Sequence, residues 1–158
     1  DLAALDLIPP STLCVRLAGF EDVLPERLKR VYAQIGNGDC IQGQRESAMW
    51  EQIRDFGWVD DGWSLIKIPI TPIRIASLER ELSSTNADRR YCAGGNLAWL
   101  AWSEGEDKLD TLLQNLGLLG LRILGKGGYP FLGARSQNVF ARRVKQALDP
   151  QGRFAPII

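Results

Sequence analysis

The sequence predicts an α+β fold of two duplicated ferredoxin-like halves, with an antiparallel or mixed sheet covered by helices. Three observations carry this expectation. Short runs of alternating apolar residues recur along the chain, and amphipathic segments of helical period stand between them. The order strand, helix, strand then occurs twice, on either side of the turn Asp60-Asp61-Gly62. At 158 residues and 45% apolar composition the chain has enough apolar surface for such a core.

Each element has a local reason. Thr12 to Ala18 places Leu13, Val15 and Leu17 on one face of a strand. Glu21 to Ile35 then repeats Val23, Leu24, Leu28, Val31 and Ile35 near helical spacing, and Gly36-Asn37-Gly38 stops it. A short second strand is expected over Asp39–Gln42. The next helix, Arg45 to Phe56, is expected to bury Met49, Trp50, Ile53 and Phe56. After the solvated acids of the turn, Trp63 to Pro69 reads as a strand. Thr71-Pro72 supplies an N-cap residue and a proline at the first helical position, so a helix runs from there to about Leu82.

Arg89 to Ala93 and Asn96 to Trp102 form two strands around Gly94-Gly95, a hairpin turn or bulge. Ser103 is expected to cap a helix whose first turn carries Glu104, Glu106 and Asp107, acids that suit a helix N-terminus. Leu119 to Leu124 is one further strand, and a Gly-rich loop closed by Tyr129-Pro130 leads to a final helix over Ser136 to Leu148. Helices are expected on one face of the sheet, leaving the other available to a partner.

Residue counts exclude several chemistries. There is no histidine, which removes Ser-His and Cys-His nucleophiles and the commonest base near neutral pH. Cys14, Cys40 and Cys92 are widely spaced and form no C-x-x-C, so a zinc site of the usual kind is not expected and the thiols read as free. Gly120 to Gly127 fits G-x-x-x-x-G-K, but Gly127 stands where a phosphate loop needs Ser or Thr, and the four inner residues read as strand. Trp50, Trp58, Trp63, Trp99 and Trp102 are a possible stacking surface for a planar ring, against the plainer reading of sheet packing. Glu79 and Glu81 are two apart on a helix and face different ways, so no acid–base dyad follows.

Net charge is zero but unevenly spread. From Gly120 onward seven basic residues face Asp149 alone, a net +6 balanced by −6 over the first 119 residues. A basic end suits an anionic ligand, a cofactor phosphate or an acidic partner, or simply a solvated helix face. The basic balance is too weak to expect nucleic-acid binding. No apolar run reaches the ~20 residues of a membrane span, and no basic, apolar leader opens the chain. The first residue is Asp1 rather than Met, so the chain is expected to be a piece of a longer protein.

The ending "RVKQALDPQGRFAP" resembles the C-terminus of FAD-linked oxidases of the vanillyl-alcohol oxidase type, where a final helix runs into D-P-x-G-x-x-N-P. Lys145, Leu148, Asp149, Pro150, Gly152 and Pro156 match that pattern. The stretches "LCVRLAGFEDVLPERLKRV", "MWEQIRDF", "LIKIPITPIRIASLEREL" and "CAGGNLAWLAW" extend the likeness, in order, over nearly the whole chain. They are similar to the cap half of the FAD-binding accessory subunits of glycolate oxidases. The resemblance implies a cap (substrate) domain over 1–134 and a C-terminal helix and tail over 135–158, packing toward an N-terminal FAD-binding domain. It implies FAD as cofactor of the parent protein, not held by this chain alone. It also implies partner flavin and iron–sulfur subunits, and a cytoplasmic place peripheral to the membrane through those partners.

On the same footing Arg74 and Arg135 are candidate substrate-binding residues and Arg153 and Phe154 candidate cofactor contacts, since arginine suits bidentate recognition of carboxylate and phosphate. Ala155 stands where the family commonly has Asn, and the absent histidine removes the His-based sites of catalytic relatives; both favour an accessory subunit. The alternative is a non-catalytic ferredoxin-like interaction or ligand-sensing module.

Overall fold

Alternation and helical period sort the chain into seven strands and five helices among the described residues. The computed structural model describes residues 2–127, 130–135 and 139–153, with the backbone alone over 139–142. In order these are β1 (Leu2–Ile8), β2 (Thr12–Leu17), α1 (Leu24–Ile35), α2 (Gln44–Arg54), β3 (Ser64–Pro69) and α3 (Pro72–Leu82). There follow β4 (Asp88–Cys92), β5 (Leu97–Trp102), α4 (Glu106–Asn115), β6 (Leu119–Leu124), β7 (Phe131–Gly133) and α5 (Val139–Leu148). The strands form one sheet in the order β2-β1-β4-β5-β3-β6-β7, and every pairing is antiparallel. The fold is α+β, as expected, and its sheet is antiparallel rather than mixed.

From Ser64 to Leu124 the elements run β-α-β-β-α-β, with β4, β5, β3 and β6 side by side. The first part of the chain follows a different order, a hairpin (β1–β2) and then two helices. The strand expected over Asp39–Gln42 is loop. Gly36 ends α1 with a left-handed turn and Gly43 opens α2 with another, which leaves a short stretch with no neighbouring strand to share a ladder. β1 and β7 are strands the sequence expectation did not include. The helix over Ser136–Leu148 is seen from Val139; residues 136–138 lie outside the described residues.

α3 begins at Pro72 with Thr71 in the extended N-cap conformation, where the Thr-Pro pair put it, although the Thr71 side chain makes no capping bond. α4 is capped by Gly105 rather than Ser103. Trp102 explains the shift, because its indole N–H donates to the Gly105 carbonyl at 3.2 Å and holds the chain extended past Ser103. Between β4 and β5 a single 3-10 turn, Ala93–Gly95, makes the connection, with all three residues at positive φ.

α3 and α4 cover one face of the sheet. Ile66 and Ile68 of β3, Tyr91 of β4, and Ala98, Leu100 and Trp102 of β5 meet Leu78 and Leu82 of α3 and Leu109 and Leu113 of α4 in one buried cluster. Each fully buried Leu or Ile there contributes on the order of 2 kcal/mol. Gly120 of β6 belongs to this contact by having no side chain: a Cβ there would lie 2.8 Å from Ile66 and 2.9 Å from Leu113. That close approach, and the β6 strand running through Gly120–Leu124, leave no phosphate cradle in the G-x-x-x-x-G-K stretch.

The opposite face is not open, which corrects the expectation of a free sheet surface. Leu65 and Ala101, cross-strand partners on that face, are 0% exposed. The segment after α2 lies on this face: Phe56 meets Trp99 edge-on at 4.7 Å between ring centroids, and Trp58 packs under the Arg90 guanidinium at 4.9 Å. α2 itself is half-buried rather than buried at Met49, Trp50 and Ile53. It meets this face at the β1–β2 hairpin, through Arg16.

Candidate functional site

Antiparallel pairing decides which side chains share the second face. Leu7 of β1 pairs with Tyr91 and points to the helix-covered core, so its neighbour Asp6 points the other way. Asp6 pairs with Cys14 of β2, and Arg16 lies on the same face one step along. β4 adds Arg90 and Cys92 on that side. α2 lies over these residues: Arg16 forms an ion pair with Glu46 at 2.7 Å and stacks on the Trp50 ring at 5.5 Å.

Between the hairpin and α2 a half-open cleft of about 390 Å³ remains, lined by Asp6, Arg16, Ser47, Trp50, Glu51, Ile53 and Arg54. This size suits a small molecule. Asp6 is its most enclosed member, 5% exposed, the one buried charged residue among the described residues. Desolvation pushes its carboxyl above the ordinary aspartate value, against the lowering influence of a hydrogen bond with the Cys92 thiol and of the Arg90 charge. Burial also drives the Cys92 thiol up, to about 12, with the nearby Asp6 charge adding to it. Cys14 is raised by burial first and by Asp6 second. Burial lowers Arg90. Both half-buried thiols therefore stay protonated at neutral pH and are poor nucleophiles or metal ligands. No cluster of three or more potential metal ligands occurs among the described residues.

A smaller cavity of about 150 Å³ lies nearby, lined by Ile8, Pro9, Trp58, Asp88, Arg89 and Arg90. The buried indole N–H of Trp58 has no hydrogen-bond acceptor among the described residues.

A half-buried carboxylate on the helix-covered face belongs to structure. Glu79 of α3 accepts from Arg89 Nε at 2.9 Å, from Arg89 Nη2 at 2.6 Å and from the Tyr91 hydroxyl at 2.5 Å. Burial alone would raise Glu79, but these bonds outweigh it and leave the carboxyl below its ordinary value. Burial and the Glu79 bond together push the Tyr91 phenol far above its usual range.

The sequence-derived candidates lie elsewhere. Arg74, in the first turn of α3, donates to the Leu116 carbonyl just beyond α4. Arg135 forms an ion pair with Asp110 of α4 at 2.7 Å, and the same carboxylate accepts from the Gly133 N–H. Both guanidiniums thus brace α4, and neither lines the cleft. Arg153 is exposed, and its backbone N–H donates to Asp149 Oδ1 at 2.7 Å. Phe154 and Ala155 lie outside the described residues. Among the described residues no helix is long and apolar enough to cross a membrane.

Sequence reasoning missed Asp6. The signal was present as a lone acid at the centre of an apolar run, "LAALDLI", where period-two alternation puts it opposite Leu5 and Leu7. No protein-family model matches the chain, and neither a curated protein nor a solved structure is significantly similar to it.

Proposed function

We propose that this chain is the cap domain of a flavoprotein subunit acting with, or within, a 2-hydroxy-acid oxidase or dehydrogenase of the glycolate oxidase kind. Its role there is to cover the flavin of a preceding domain and shape the substrate pocket, so the chain alone is inactive. The domain division 1–134 and 135–158, the ferredoxin-like character of the β-α-β-β-α-β unit, and the flavin and iron–sulfur partners belong to this same reading.

The observation that carries it is the Asp149-Pro150-Gln151-Gly152 turn, the most specific part of the resemblance. Asp149 holds the turn from both sides: Oδ2 accepts from Lys145 Nζ at 2.7 Å, and Oδ1 accepts from the Arg153 N–H at 2.7 Å. Its side chain is 6% exposed. Pro150 keeps the helix from continuing, and Gly152, at φ 64, supplies the left-handed step that lets its N–H reach the Asp149 carbonyl at 3.1 Å. Lys145, Asp149, Pro150 and Gly152, four of the six residues shared with the oxidase ending, are thus the ones that shape the turn after α5. Candidate contacts at Arg74, Arg135, Arg153 and Phe154 are part of the proposal, with Arg153 the one nearest this turn. Arg74 and Arg135 would first have to leave their partners on α4.

The test is the visible spectrum of the parent protein produced with the sequence preceding Asp1 and supplied with FAD. Bound oxidised flavin, bleached by a short 2-hydroxy acid when its partner subunits are present, is the expected result. A folded parent that takes up no flavin overturns the reading. The ligand-sensing alternative is favoured by one observation, the cleft under α2, whose chemistry needs no flavin.

A further inference from the structure

The cleft between the β1–β2 hairpin and α2 has an uneven charge balance. Its two arginines are matched by acids of their own: Arg16 by Glu46 at 2.7 Å, and Arg54 by Asp55 through two bonds of 2.8 and 3.1 Å. Its two acids are not. Among the described residues Asp6 has only the Cys92 thiol as a side-chain hydrogen-bond partner, and the Glu51 carboxylate makes no hydrogen bond or ion pair, though its charge acts on Arg54. Arg90 influences Asp6 from the next strand but stacks on Trp58.

A buried carboxylate ordinarily gathers several strong donors, because a thiol replaces little of the hydration it loses. Glu79 of α3, on the other face of the sheet, has three such bonds. Asp6 instead faces an open space of about 390 Å³. The remaining walls are Ile53 and the Trp50 ring, apolar surface beside an acid, and Trp50 already accepts a cation on its ring from Arg16.

We propose that this cleft binds a small organic cation, an aliphatic amine or guanidine whose N–H groups donate to Asp6 at the floor. Its alkyl body lies against Ile53 and Trp50, and a second positive group, where present, reaches Glu51 at the rim. Charge-assisted bonds to Asp6 replace the donors the fold does not supply. The site is independent of the flavin reading, since it uses no residue of the D-P-x-G turn and needs no cofactor. Flavin uptake by the parent bears on that reading alone.

The test follows the Trp50 indole N–H resonance of the 158-residue chain by NMR, assigned with Trp50→Phe, during titration with agmatine, putrescine, n-butylamine and, as the anionic control, butyrate. Saturable shifts with the three cations, tightest for the dications, and none with butyrate are expected. Asp6→Asn weakens agmatine by about tenfold or more. Glu51→Gln, an exposed change that leaves the fold intact, brings the dications close to the affinity of n-butylamine. Overlaid spectra away from the cleft check that each variant is folded. No saturable shift with any cation, or equal response to butyrate, overturns the proposal. Undiminished agmatine binding by folded Asp6→Asn overturns it as well.

Discussion

Two carboxylates, buried Asp6 and half-buried Glu79, lie on opposite faces of this sheet and have opposite surroundings. Glu79, between α3 and β4, accepts three short hydrogen bonds from Arg89 and Tyr91 and is held below its ordinary pKa. Asp6, between β1 and α2, has a thiol for a partner, a cleft in front of it, and a pKa raised by desolvation. Burial penalises both charges, so the difference lies in the donors. Where the fold supplies them, the acid stiffens the α3–β4 contact. Where it does not, the acid is left for something else to complete.

The largest expected effect comes from breaking the completed site. Glu79→Ala leaves the Arg89 guanidinium, whose side chain is 20% exposed, with its bond to the Ala87 carbonyl but no counter-charge, and takes the acceptor from the Tyr91 hydroxyl. It costs about 3 kcal/mol in urea unfolding. A loss no greater than that of a surface substitution would mean that the network adds nothing to the fold.

Asp6→Asn should move stability the other way, by about 1 kcal/mol of gain at neutral pH, because it removes a desolvated charge and keeps the shape. The pH dependences have opposite signs as well. Glu79, with its depressed folded pKa, stabilises above the ordinary glutamate value of 4.5, and that contribution is lost as pH falls through the folded value. Asp6, with its raised folded pKa, imposes no penalty below 3.8; a penalty grows as pH rises from there through the folded value. Unfolding curves of Asp6→Asn and the parent chain should therefore converge at acid pH and separate toward neutral pH. Glu79→Gln and the parent should also converge at acid pH, but toward neutral pH the variant should be the less stable of the two.

The smallest effect is chemical. Exposed Cys40 should react with a disulfide reagent at neutral pH at least about 100-fold faster than Cys92, whose thiol burial pushes up to about 12. Asp6→Asn should narrow that gap, since the Asp6 charge is part of what raises Cys92. A gap unchanged in Asp6→Asn would argue against the close pairing of the two groups.

The half of the fold from Ser64 to Leu124 was legible in the sequence because its signals are local. Thr71-Pro72 marks the start of α3, Gly94-Gly95 the hairpin, and period-two alternation the strands between. β7 was not legible, being three residues long and set in a glycine-rich stretch, where pairing with β6 rather than propensity makes it a strand. β1 was hidden by Asp6, which interrupts the apolar run that would announce it. The same residue hid the cleft. A buried acid reads from sequence like a surface acid until its register with Cys14, and that of Leu7 with Tyr91, put it beneath α2. Arg74 and Arg135 were legible as arginines suited to anions, but Leu116 and Asp110, which engage them, are far away in the chain.

The contrast between the two carboxylates is tested most directly by carbon-13 NMR titration of the Asp6 and Glu79 side-chain carboxyls in the same sample. The Asp6 carboxyl should titrate above 3.8 and the Glu79 carboxyl below 4.5. Agmatine should bring Asp6 down and leave Glu79 where it is. An Asp6 carboxyl that titrates at or below 3.8 without a ligand would contradict the account, because it would mean that the fold already completes that acid.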